Sequence, residues 1–501
     1  MLRQTKTENG LVRGLPGNNS RITVYKGIPF AAPPVGDLRW RAPRPVENWE
    51  GVRNCFEFGP IAMQETPGLD PNAFYSKEWH VDPEIPMSED CLYLNVWTPA
   101  KSADEKLPVM VWIYGGGLLN GYTAEMEFNG ERIASRGVIL VSVAYRVNAF
   151  GLISHPEITK ENPDAPGNLC LVDQNYALSW VQRNIEYFGG DKDNVTIFGQ
   201  SAGGMSVLTH LTSPKSKGLF KKAIVQSIGG IRPKRPKNLA LPNFSLEEAE
   251  AEGIKFFDVL GVKTLEEARK LPAQFIEDKF NEQHYFWGYI NDGVFMPKSA
   301  EQIVIDNEMN DAIVMIGNTT DEFPIDPFTD DKEGIDAWIK DIFGEYADDY
   351  FKVLDNIEGD YHKKAKINQL HISNLIFAEV AAKQGRKVYT YEFGPTIPGD
   401  NAGVYHSADL WFCFENLMNC WRPFDGHHYD LARKMCNYWT NFAKYGDPNG
   451  NDHDGTPMPT WKEYKNDHPF VMNFFDEISC VDGKHSEKVQ FLLDINKDMY
   501  E

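Results

Sequence analysis

Short apolar runs rich in β-branched residues recur along the chain with longer helical patterns between them, and this alternation constrains the fold more than any other feature. The runs cover 108–114, 138–145, 195–199, 223–226, 312–317 and 387–393. A strand buried on both faces reads as a near-continuous hydrophobic stretch, because helices cover both sides of a parallel sheet. Helical patterns at 173–187, 202–211, 245–260 and 431–445 supply that cover. The order predicts an α/β fold with a central, mostly parallel twisted sheet flanked by helices. No repeat, low-complexity linker or run of like charge marks a boundary. Residues 1–501 are therefore expected to form one domain, with insertions around 59–89 and 229–310 that leave the strand and helix pattern.

Composition narrows the partners. With 42% hydrophobic and 13% aromatic residues, 501 residues can bury a large core. The chain carries 72 acidic against 50 basic residues, a net charge of -22, which excludes the basic face that nucleic acid requires. No run approaches the roughly 18 apolar residues that span a bilayer, so no stable membrane insertion is expected. The first residues lack the apolar segment of a secretory signal, which points to the cytoplasm, or to secretion if a signal peptide once preceded them. Seven dispersed cysteines form neither a disulfide framework nor a CxxC metal pattern, and no metal or organic cofactor is implied. A small-molecule substrate and a monomer or small homo-oligomer are expected.

Gly199-Gln200-Ser201-Ala202-Gly203 matches GxSxG and lies directly between the run ending at Phe198 and a helical pattern. In that context the motif is a strained strand-to-helix turn that presents a nucleophile at a sheet edge. A serine hydroxyl is a poor nucleophile at neutral pH, so it needs a base and an acid that orients the base. In chain order the acid and then the base should follow later strands. The run 312–317 leads into Asp321 and Glu322, and the run 387–393 leads towards His406. Among the other histidines, His427 and His428 open a helix, and His80, His155, His210 and His371 fall outside the expected position. Acyl transfer also needs donors for an oxyanion. Gly115, Gly116 and Gly117 follow the run 108–114 directly, and the amide of Ala202 is expected opposite.

Together these motifs resemble the type-B carboxylesterases, an α/β-hydrolase family that includes para-nitrobenzyl esterases, feruloyl esterases, animal carboxylesterases and cholinesterases. The resemblance runs through Tyr25-Lys-Gly-Ile-Pro-Phe-Ala-Ala-Pro-Pro-Val-Gly36, Ser88-Glu-Asp-Cys-Leu-Tyr-Leu-Asn-Val-Trp97, the Gly triplet, the Ser201 motif and Asp292-Gly-Val-Phe-Met-Pro297. It implies a serine ester hydrolase with Ser201 as nucleophile, Glu322 rather than Asp321 as acid, and His406 as base. It also implies Gly116, Gly117 and Ala202 as the oxyanion hole. Arg39 with Glu89, and Arg146 with Asp173, match the family's buried structural ion pairs.

The departures shape the substrate expectation. Ala62 stands where the family's first disulfide has a cysteine, leaving Cys91 reduced unless Cys55 replaces that partner. Phe323 follows the acid where glycine is usual, Leu118 replaces an aromatic residue, Cys170 replaces a glycine, and Gln200 replaces a glutamate. Losing that charge turns the expectation from choline esters to neutral ones, of aryl, hydroxycinnamoyl or short-chain type. Aromatic groups at 74–79, 285–287 and 411–414 are candidates for the wall of a gorge. Two other readings are an inactive cholinesterase-like binding module, which the presence of Ser201, Glu322 and His406 opposes, and an interfacial lipase, for which no amphipathic lid is evident.

Overall fold

The apolar runs become neighbours in one eleven-stranded sheet. The structure is a computed structural model and describes residues 1–70, 72–79, 82, 84–236, 244–483 and 485–500. In chain order the strands are β1 (Leu15–Pro16), β2 (Thr23–Pro29), β3 (Tyr93–Thr98), β4 (Leu107–Ile113), β5 (Ile139–Val143), β6 (Gly190–Gln200), β7 (Lys222–Gln226), β8 (Ile313–Thr319), β9 (Val388–Phe393), β10 (Phe470–Phe474) and β11 (Ile478–Asp482). Across the sheet they run β11-β10-β9-β8-β7-β6-β4-β5-β3-β2-β1. From β10 to β5 every neighbouring pair is parallel. Antiparallel pairs finish both edges. Residues such as Val111, Ile113, Ile197, Ile224 and Ile316 are wholly buried, as strands covered on both faces must be.

The helices that matter for function are α1 (Phe74–Trp79), α2 (Leu169–Asn184), α3 (Ala202–Thr212), α4 (Gln369–Lys383) and α5 (Gly426–Tyr445). Capping moved several ends relative to the sequence pattern. The predicted start at 431 shifts to Gly426 because Asp425 caps the first turn and the His428 ring closes the capping box. The pattern at 245–260 becomes Leu246–Leu260, with Ser245 and Glu248 forming the same device and Gly261 ending it in a left-handed conformation. The predicted helix at 173–187 starts earlier, at Leu169, and its last turn tightens to a 3-10 turn over Ile185–Phe188.

The described part of the 229–310 excursion has its own apolar centre. Phe256, Phe257, Leu260, Ile276 and Phe280 pack with Trp40, Phe150 and Leu169 in a second core beside the sheet. Arg39 binds Glu89 at 2.6 Å and also donates to the carbonyls of Ala268 and Leu271 at 3.0 and 2.8 Å, tying the early loops to this layer. Arg146 and Asp173 pair at 2.7 Å in full burial. Both ion pairs inferred from the sequence are thus formed. All seven cysteines are free thiols, so Cys55 does not take up a disulfide with Cys91. Among the described residues no helix is long and apolar enough to cross a membrane.

Candidate active site

Between β4 and β6 the strand order changes direction, and a crevice opens there at the carboxyl ends of the strands. Ser201 follows β6 at this point with φ 56° and ψ -128°, a conformation that L residues rarely adopt. The turn holds because its neighbours are bare. A Cβ on Gly203 would lie 2.1 Å from the Ile113 carbonyl oxygen, inside β4, so only glycine lets α3 start this close to the sheet. Across the crevice Gly116 and Gly117 have φ of 108° and 65°, and the Leu119 amide donates to Gly116 O at 3.0 Å. The Ala202 N–H belongs to the first turn of α3, where backbone donors lack partners within the helix.

The other two candidates approach from β8 and from the segment after β9. Glu322 Oε2 lies 2.5 Å from His406 Nδ1, and its Oε1 accepts from the Thr319 amide at 3.0 Å. Burial alone would raise this carboxyl. The His406 ring outweighs it, with hydrogen bonds from that ring and from the Thr319 amide, and holds Glu322 below the usual carboxylate range. Asp321 points away and accepts from the Val404 amide at 2.7 Å, pinning the loop that carries the histidine. Ser201 and His406 line the same cavity. Among the described residues Ser201 makes no hydrogen bond to His406. Instead, His406 Nε2 faces Gln200 Nε2 at 3.2 Å, and a neutral ring accepts there while its Nδ1–H points to Glu322.

None of the rival histidines described lines this cavity. His210 is buried between Ser216 and Gln174, with burial pushing its pKa down to about 3. His155 stacks on Phe257 and caps a helix. His371 sits 3.5 Å from Glu392, and His427 and His428 pair with Asp425 at the start of α5. His80 lies outside the described residues.

Sequence reasoning missed the support of the histidine loop. Glu78, on α1, is buried and accepts from Trp411 Nε1 at 3.1 Å, Trp421 Nε1 at 3.0 Å and Arg422 Nε at 2.9 Å, and from the Tyr405 hydroxyl. Arg422 also binds Asp400 at 2.8 Å, and Tyr75 donates to the His406 carbonyl at 3.2 Å. A buried carboxylate next to a Trp-rich segment was the available signal, but the partners are more than 300 residues apart. Asp409, three residues past His406, accepts from Gln226 and Tyr391 at 3.0 and 3.1 Å, and burial pushes its pKa up to about 6.

The cavity holds about 670 Å³. Tyr75, Trp79, Phe286, Trp287 and Phe323 line it, with Leu118, Met205, Ile228 and Leu370 between them. Two of the three aromatic groups expected as a wall therefore contribute. Trp411, Phe412 and Phe414 do not: they are wholly buried, with Phe414 packed on Trp112 and Phe198 beneath the sheet. Glu125 also reaches the wall, and the buried carboxyl of Glu127 lies beside it. Burial lifts both carboxyls above their ordinary range.

Comparison with known proteins places the chain in a family. The chain matches the model of the carboxylesterase family over residues 2–492. It is 32% identical to a para-nitrobenzyl esterase of Bacillus subtilis, over 97% of each chain. It is 31% identical to an acetylcholinesterase of Bungarus fasciatus, over 91% of this chain and 81% of that one. Among solved structures, a thermophilic PNB esterase superposes with a TM-score of 0.79 at 29% identity, over 98% of this chain and 100% of the other. A Geobacillus stearothermophilus carboxylesterase gives 0.77 at 28% identity over the full length of both. A parallel sheet with a strained serine elbow at its switch point, matched along nearly its whole length, makes this chain a member of the carboxylesterase family, serine hydrolases of carboxylic esters with the α/β-hydrolase fold.

Proposed function

We propose that the chain hydrolyses neutral carboxylic esters, of aryl, hydroxycinnamoyl or short-chain type, through Ser201, His406 and Glu322. The observation that carries the reading is the 2.5 Å contact of Glu322 with His406 Nδ1 at the base of a cavity that Ser201 also lines. His406 Nε2 takes the Ser201 proton as Oγ attacks the carbonyl carbon, and Glu322 stabilises the imidazolium that forms. The amides of Gly116, Gly117 and Ala202 hold the oxyanion; losing one such donor typically costs roughly 10²- to 10³-fold in kcat. Collapse of the intermediate breaks the bond to the alcohol oxygen, which leaves with the proton from His406. Water, deprotonated by the same ring, then cleaves the acyl-enzyme and releases the acid.

For this cycle His406 must turn from Gln200 to the Ser201 hydroxyl, a tightening common when substrate enters an open site. Gln200 brings no charge to the nucleophile, which favours neutral substrates. Rates on para-nitrophenyl acetate test the assignment. Ser201→Ala is expected to lose about 10⁶-fold in kcat and Glu322→Gln about 10⁴-fold, with the fold retained. Turnover by Ser201→Ala within tenfold of the parent would exclude Ser201 as nucleophile.

A further inference from the structure

Phe323 is 59% exposed although it adjoins Glu322, which is wholly buried. With the acid held inward by the Thr319 amide and His406, the next side chain is thrown out over the cavity, which it lines. Its ring settles on His406, with ring centroids 4.4 Å apart at 45°. Phe286, 49% exposed, lines the same cavity and lies 3.9 Å from where a Cβ on Gly117 would be. One exposed phenyl ring thus borders the base and another borders the oxyanion glycines. Exposed apolar rings at the mouth of a cavity mark surface that a ligand covers.

The two rings meet different halves of an ester. His406 Nε2 must come within about 3 Å of the departing oxygen to protonate it. The alcohol half therefore passes the His406 ring, and with it Phe323, while Phe286 borders the carbonyl oxygen. We propose that Phe323 is a specificity-determining residue that stacks on an aromatic ring in the alcohol half of the substrate, making benzyl- and aryl-type alcohol esters the preferred class. A phenyl face rewards a flat partner in an offset or tilted arrangement beyond the area covered, which a saturated ring of equal size does not receive. The inference rests on the ester hydrolase reading above.

The test compares kcat/KM for benzyl acetate with cyclohexylmethyl acetate, and for methyl benzoate with methyl cyclohexanecarboxylate. In Phe323→Leu the benzyl to cyclohexylmethyl ratio should fall about fivefold to tenfold, Phe323→Trp should keep it, and the acyl ratio should stay as in the parent. An unchanged alcohol ratio, which includes an equal loss on both alcohols, or a change in the acyl ratio instead, overturns the assignment while leaving ester hydrolysis intact. Absence of turnover of any ester by the parent chain overturns the hydrolase reading and this inference with it.

Discussion

Holding Ser201 at positive φ costs roughly 1–3 kcal/mol, which the surrounding strand and helix must supply. In return Ser201 lines the cavity together with Gly116, Gly117 and Ala202. Its neighbour Gln200 is 2% exposed and donates to His406 Nε2, the atom that acts as base in the proposed mechanism. Gln200→Glu would set a carboxylate there and stabilise the imidazolium. Only the unprotonated ring can act as base, so the acid limb of the kcat/KM profile should move to higher pH, by about one unit. A pH profile on para-nitrophenyl acetate checks this, and an unmoved limb would mean that the Gln200 contact does not act on the base. Ser201 was legible from its motif, and Glu322 and His406 from chain order and the family resemblance. The Gln200 contact was not, because a side-chain rotamer facing a loop 206 residues away leaves no local pattern.

The elements divide the work between a rigid sheet and a clamped loop. Strands β4, β6 and β8 end at neighbouring points, so the glycine loop, Ser201 and Glu322 inherit their spacing from backbone hydrogen bonds. His406 sits outside this ladder, 13 residues beyond the end of β9 at Phe393, in a loop that touches the strand ends through Val404 and Asp321. Glu78 and Arg422 clamp that loop, with side chains 1% and 0% exposed. Glu78→Ala would leave Arg422 with Asp400 and the Pro398 carbonyl and strand three other donors, Trp411 Nε1, Trp421 Nε1 and the Tyr405 hydroxyl. Breaking a buried pair in this way costs about 3 kcal/mol or more, measurable as a lower urea midpoint. A loss below about 1 kcal/mol would show that the clamp is not what fixes the loop. The central strands β4 to β9 were readable from hydrophobic period, with helix ends decided by capping, whereas the edge strands β1, β2, β3, β10 and β11 and helix α4 were not among the predicted elements. The clamp was not readable, since its charges come from segments that meet only in the folded chain. Trp411, Phe412 and Phe414 misled for a related reason: aromatic residues fill cores and cavity walls alike, and burial decides between them.

Across the whole molecule, Ser201, His406, Gly116, Gly117 and Ala202 meet at the wall of one cavity, and Glu322 lies buried behind His406. Many of the acidic groups behind the net charge of -22 lie at the surface, some in ion pairs such as Lys270–Glu266 and Lys298–Asp306, and the cavity wall is mainly aromatic and aliphatic, with Glu125, Glu301 and Arg232 as its charged members. The fold class was legible because a parallel sheet needs buried apolar strands at regular intervals. The cavity was not, because its walls come from excursions whose packing is set by contacts distant in sequence. In the proposed mechanism this fold activates one serine. An organophosphonate ester tests it by mass spectrometry of the digested, intact-labelled protein. One adduct per chain, on the peptide that contains Ser201, with hydrolysis lost in proportion, is the expected result; an adduct on another residue, or hydrolysis that persists after Ser201 is fully labelled, would contradict it.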